Sequence, residues 1–496
     1  MVTPVGIRIL LAVVGAATLV RAAGAAEWPP RNPFLADSSY PIGHGGSAQQ
    51  DALRVRGPDD PGAALDPGEI QYAPVGPAHF GAYTSSPYPD GRRVIWSNGL
   101  DRIVKVDFET FEVLATYWVP GAKRWTEADA DASIARPDAS NEGFFAIWNA
   151  FRDVSKLRDL SSVYTVLDAD NTYFIADKNG SVAAYADEDP ADPRSPIVQK
   201  AVFRFPAEVT GLTVGMNMTF DGWLIVPTEH GYVVAISRDL KHHRVIRLRY
   251  SEGAEEKATR PTGYGWVRNG VAIDASGGLY IASQEHMHKV VWRDAIPENW
   301  LALAGAPDRR IAGMQPADMG DPDLTEIQSE QSVVVAGYGA LVVNNVGRNA
   351  PWYLPSRAAM LLISFLGSAP RYQPFGVQKF EWDPATRVLR EAWVNRTVSS
   401  PSGVPIVSYP SDRVYLIGAR DNRFTLEALA WRNGRSAFHT VIGGQRYNPL
   451  FSGTEIDEAG RIHYGSPWGR VRLAPRTNAA GSADRASPSP RRVRDG

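Results

Sequence analysis

Two acid and histidine pairs stand in register in this chain. Thr228, Glu229 and His230 align with Gln284, Glu285 and His286, each triplet following a short apolar run, and His288 comes two positions later. A carboxylate beside an imidazole suits proton transfer near neutral pH, because the acid orients the ring and raises its basicity. Glu229, His230, Glu285 and His286 are therefore the candidate catalytic groups. Residues two apart on a strand share a face, so His286 and His288 could also hold a divalent metal. Asn217, Asn269 and Asn448 lie at the heads of apolar runs, while Asn98, Asp177, Asn344, Asn345 and Arg420 lie at the ends of others. Amide oxygens of this kind suit calcium or the polar atoms of a ligand. Asn217, Asn269, Asn344 and His288 are the candidate metal ligands; Asn98, Arg420, Asn448 and Trp352 are candidate substrate contacts. The plain alternative is that turn residues are polar because they meet water.

Repetition is what would gather residues so far apart. An acidic or glycine turn, a short apolar strand, a polar turn and a second apolar strand run from 221 to 236 and again from 274 to 292. Looser copies start near Arg93, Thr172, Arg413 and Arg461. One β-hairpin unit recurring every 40 to 60 residues or so is the mark of a β-propeller, since a lone blade cannot bury both its faces. The pattern predicts an all-β, seven-bladed β-propeller over residues 69–474. In that fold the turn joining the second and third strands opens at the end where each inner strand begins, which places the candidate residues around one funnel.

Between the first two blades, residues 126–160 read as a small helical insert, opened by Thr126 with Asp129 and striped by Phe144, Ile147, Trp148, Phe151 and Val154. Residues 346–372 form an apolar insert whose segment 352–366 has three readings: a lid over an apolar ligand, a peripheral membrane contact, or a satellite core. Residues 27–68 read as an extended arm over the propeller surface, and the strand at Ile70 to Tyr72 is expected to close the ring on the last blade. Asp221, Asp274 and Asp457 are expected to cap tight turns. His242 and His243 read as a solvated turn, His439 and His463 as structural, and His44 as part of the arm.

The first 26 residues read as a cleaved secretory leader, with Arg8, an apolar run from Ile9 to Val20 and small residues at 23–26. The expected location is periplasmic or secreted. With no cysteine, the chain offers neither disulfide nor thiolate. A formal net charge of -2 gives no reason to expect a nucleic acid partner. Residues 475–496, rich in Pro, Ser, Ala and Arg, read as a disordered tail.

Two family patterns are present. Asn269 to Asp274, followed by Gly278 to Ala282, resembles the inner-strand and second-strand signature of the SMP-30, gluconolactonase and strictosidine-synthase-like propellers. That resemblance implies a divalent cation that polarises an ester or lactone, with Asn269 and Asn217 among its ligands; the acidic first ligand, in a Glu-Gly-Pro pattern, has no counterpart. Trp382, Asp383, Thr386, Leu389 and Trp393 resemble the repeat of quinoprotein propellers, with an echo at Asp107, Thr110 and Val113. This second resemblance implies the quinone PQQ held with calcium. The leading expectation is an exported enzyme acting on a small, partly apolar organic molecule by metal-assisted or acid and base hydrolysis, or a related lyase or isomerase step. The alternatives are a PQQ-dependent dehydrogenase and a non-enzymatic binding platform.

Overall fold

A computed structural model describes residues 30–58, 70–76, 81–99, 101–122, 124, 165–177, 180–211, 213–248, 267–283, 287–292, 334–335, 340–344, 375–383, 386, 388–400, 403–449, 452–466 and 469–474. Among them the regular structure is all β, with two short 3-10 turns and no α-helix. Strands such as Val94–Asn98 and Trp223–Pro227 carry the branched and aromatic residues that suit a pleated sheet, and are almost wholly buried because neighbours cover both faces. Outer strands such as Ser436–Gly443 alternate buried and exposed instead.

Among the described residues the strands fall into antiparallel units that follow one another in sequence. The first joins Ala82–Thr84, Val94–Asn98, Arg102–Asp107 and Val113–Trp118 in that order. The second runs from Val166–Leu167 to Ile197–Arg204, the third from Asn217–Met218 to His243–Arg247, and the fourth from Val267–Ile273 to Met287–Val291. The fifth, beginning at Val334–Val335, and the sixth, ending at Ser436–Gly443, share one nine-stranded sheet. They join at the single pair Ser399 and Ala419.

The seventh unit holds Thr454–Ile456, Ile462–Gly465 and Gly469–Leu473, and takes its outer strand from far upstream. Ile70–Pro74 pairs antiparallel with Gly469–Leu473, from Ile70 opposite Leu473 to Pro74 opposite Gly469. The expected closing strand is thus present, and it covers an edge that would otherwise be open.

The core lies between units rather than within them. Trp96 and Ile103 of the first meet Leu167 and Tyr173 of the second, Phe174 meets Leu224 of the third, and Ile225 meets Leu279 of the fourth. Val377 shares a buried cluster with Leu416, Ile417 with Ile462, and Ala73 beside the seventh unit with Ile95 of the first. Packing between the fourth and fifth units lies outside the described residues.

Residues 30–58 correct one expectation. They are largely buried, not a solvent-exposed arm, and bond to the first strands of several units. Ala36 N donates to Leu167 O at 3.0 Å, Thr84 N to Tyr40 O at 2.9 Å, Ile273 N to Ser47 O at 2.7 Å and Val407 N to Asp51 O at 2.8 Å. Ala52–Leu53 adds a parallel strand to Ile406–Ser408. The leader, the helical insert, the apolar insert and the tail all lie outside the described residues.

Candidate functional site

Alternation along a strand sends every second side chain to one face, and in the seventh unit that face is charged. Glu455 pairs across the sheet with His463, which pairs with Arg472. These groups look toward the first unit. Ser39 Oγ donates to Glu455 Oε1 at 3.0 Å, and Thr84 Oγ1 donates to Oε1 at 2.9 Å and Oε2 at 3.2 Å. Glu455 is buried, while Ser39 is only half buried. Both hydroxyl residues line a cavity of about 700 Å³, whose walls include Arg92, Arg93, Asp107, Glu109, Asp457 and Arg461.

Burial pushes the Glu455 carboxyl up to about 7, although the bonds from Thr84 and Ser39 and the charge of Arg470 work against it. A carboxyl at that value can hold or release a proton at working pH. The Ser39 hydroxyl stands between it and the cavity, so it can pass that proton outward or be activated as a nucleophile.

The same wall holds an acid and histidine pair. Asp457 Oδ1 accepts the backbone N–H of Ala459 and Arg461, both at 2.9 Å; its Oδ2 lies 2.9 Å from His463 Nε2 and 2.5 Å from Arg461 Nε. Burial would raise Asp457, but His463 and Arg461 hold it down at about 2. Burial drives His463 down to about 4 against the pull of Asp457, so the ring is neutral at pH 7. Phe108 stacks on it at 5.3 Å, and its Nδ1 is buried without a hydrogen-bond partner among the described residues. Arg461 continues to Glu109 at 2.8 and 3.0 Å, which ties the seventh unit to the first.

The residues singled out by sequence have different fates. His230 is half buried, with Nδ1 2.9 Å from Thr210 Oγ1; burial lowers its pKa, Glu229 opposes that and Arg247 adds to it. Glu285, His286 and Trp352 lie outside the described residues. Asn269 lies within Val267–Ile273, Asn344 pairs with Val377 and His288 with Ile281, but their side chains are outside the described set. Asn217 is a correction: its amide donates to Ser47 O at 2.9 Å and Val271 O at 2.5 Å, and its oxygen accepts Met218 N at 2.7 Å. It is a buried fastener, not a free ligand. Asn98 accepts the Tyr173 hydroxyl at 2.6 Å, and Asn448 is fully buried. Arg420 is held by both oxygens of Glu427, at 2.7 and 2.8 Å. Among the described residues no cluster of three acids or histidines could hold a metal.

Asp274 and Asp457 cap their turns as expected, whereas Asp221 accepts the indole N–H of Trp292 at 2.9 Å and leaves the cap to Thr219. The quinoprotein-like motif is also used structurally. Asp107 Oδ1 accepts the N–H of Glu109 and Thr110, and the Trp393 indole N–H reaches Trp431 O in the next unit at 2.9 Å. Glu455 and Ser39 escaped the sequence reading, although the alternation Glu455, Asp457, Arg461, His463, Arg470, Arg472 is the signal that could have exposed this face.

No protein-family model matches the chain. It is 27% identical to an uncharacterised protein of Archaeoglobus fulgidus over an alignment of 508 positions, covering 90% of this chain and 89% of that one. Among solved structures it is similar to quinohemoprotein alcohol dehydrogenase from Comamonas testosteroni, at 11% identity and TM-score 0.44 over 95% of this chain and 84% of that one. It is similar to streptogramin B lyase at 8% identity and TM-score 0.38, over 81% of this chain and 96% of that one. A further likeness is to the β-propeller domain of Cps50 (Swd1) from Myceliophteria thermophila, at 11% identity and TM-score 0.41, over 82% and 99%.

Proposed function

We propose that this chain is an exported seven-bladed β-propeller enzyme that performs acid and base chemistry on a small organic molecule, as a hydrolysis or a related lyase or isomerase step. The observation that carries the reading is the Ser39 hydroxyl, half buried at the cavity wall and 3.0 Å from a carboxyl that burial has pushed up to about 7. Glu455 takes the proton, Ser39 conveys it or attacks, and Thr84 fixes the carboxyl. The wall carries charges of both signs, with Arg92 paired to Asp90 and Arg93 bonded to Ser85 O, which suits a polar substrate.

The chemistry then sits at the junction of the first and last units and not at the rim turns. Glu455 and Ser39 need neither a metal nor a quinone for these proton transfers. Asn217 has its oxygen and both amide hydrogens engaged, and the motif shared with quinoproteins supplies turn caps and a bond between sheets. Asn217, Asp107 and Trp393 are thus committed to the fold.

Small esters, lactones and cyclic peptides form the test panel. Glu455→Gln and Ser39→Ala are expected to lower kcat by about 10² or more in folded protein, the usual scale for loss of a general acid or base. Full turnover in Glu455→Gln would end the assignment, and loss in Glu285→Ala or His286→Ala alone would return the site to the rim. A ligand-induced melting shift without turnover would instead establish a binding platform. N-terminal sequencing of protein from the culture supernatant or periplasm reports whether the leader is cut after residue 26.

A further inference from the structure

The charged face that carries Glu455 also holds a buried positive charge without a hydrogen-bonded counterpart. Arg470 stands in Gly469–Leu473 with small cross-strand neighbours, Gly465 on one side and Ala73 on the other. It is 2% exposed. Nε and Nη1 are shielded from solvent and find no hydrogen-bond partner among the described residues.

The groups that feel its charge are Glu455, Tyr40, Tyr83 and Tyr173. Three of these are linked rings: Tyr40 and Tyr83 lie 6.1 Å apart and stacked, and Tyr83 and Tyr173 lie 6.3 Å apart. The Tyr40 hydroxyl accepts His44 N at 3.3 Å and donates to no described residue. Tyr40 is placed tightly, since its hydroxyl sits where a side chain at Gly453 would have to begin. The carboxyl in the cluster, Glu455, already accepts from Ser39 and Thr84. Its burial favours the neutral form, so it compensates the guanidinium only in part. A buried charge with unused donors is costly unless something paired with it restores the lost solvation.

We propose that Arg470 anchors a buried site for one small monovalent anion, a halide or a simple carboxylate, received by guanidinium Nε and Nη1 together with the Tyr40 hydroxyl. Two unmet guanidinium N–H groups in a plane suit a compact, singly charged guest. The anion completes the junction of the first, second and seventh units and acts as a structural ligand.

Purified full-length protein exchanged into sodium gluconate is titrated with sodium chloride, and separately with sodium formate, at constant ionic strength while Tm is measured. A saturable rise of several °C in native protein, absent in Arg470→Met, is the expected result, and the salt that produces it identifies the guest as halide or carboxylate. Equal Tm in all salts, or the same rise in Arg470→Met, overturns the proposal. Should Arg470→Met fail to fold, crystals of native protein soaked in sodium bromide and in sodium formate decide the matter. Bromide anomalous density or formate density against the guanidinium supports the site; a side chain of this chain in that place, or density for neither, overturns it.

Discussion

Glu455 is the group of the site whose titration falls near neutral pH. A carboxyl raised from an ordinary 4.5 to about 7 binds its proton more tightly in the folded chain than in the unfolded one. Its contribution to stability is therefore complete below about pH 4.5 and disappears as pH rises toward 7, a span worth on the order of 3 kcal/mol. Relative to native protein, Glu455→Gln should gain stability between pH 4.5 and 8, and denaturant unfolding at several pH values measures it; a constant difference would show that Glu455 titrates normally. His463 acts in the opposite sense, because its pKa falls from 6.5 to about 4, so stability it contributes is lost as pH drops through that range. Comparing the two proteins at each pH removes that term. A second residue-scale case is Lys105, fully buried, which donates to Asp187, to Pro193 O at 2.8 Å and to Ser195 O at 2.8 Å. Lys105→Met should cost about 3–5 kcal/mol by stranding Asp187, while adding Asp187→Leu should recover much of it. Urea unfolding midpoints of the two variants distinguish a paired charge from a merely well-packed lysine.

Individual strands and turns were readable because their signals are local. Continuous apolar runs marked the doubly covered strands, and Asp274 and Asp457 announced their own turns through bonds to N–H groups a few residues on. Asp221 carried the same local signal and yet serves Trp292, since a tryptophan from the next unit competes successfully for its oxygens. Asn217 failed for a similar reason. Its position at the head of an inner strand is legible, but its use by Ser47, 170 residues away, is not. Asn217→Ala should therefore destabilise the fold by about 1–3 kcal/mol, the range for leaving buried partners unmet. Metal content by mass spectrometry should be unchanged, and a drop in bound metal would restore the ligand reading. At the joint between the fifth and sixth units, Trp393→Phe removes the indole bond to Trp431 O and should cost about 1 kcal/mol.

For the whole molecule, two long-range connections matter most: the strand Ile70–Pro74 on the seventh unit, and residues 30–58 bonded to the first strands of several units. Both join distant parts of the chain, so cooperativity should depend on them. Removing residues 27–58 should lower Tm and divide one unfolding transition into several in calorimetry; a single unshifted transition would show the segment to be an ornament. Residue order alone determined that short antiparallel sheets recur, that they must pack on one another, and that Ile70 to Tyr72 supplies a closing strand, because periodicity and turn chemistry act over a few residues. Only the tertiary structure decided that residues 30–58 are largely buried, that Ser39 meets Glu455, and that the charged face of the seventh unit opens on a cavity. Those contacts join residues some 370 to 420 apart, and no local preference of the chain encodes which distant side chain will cover a buried charge.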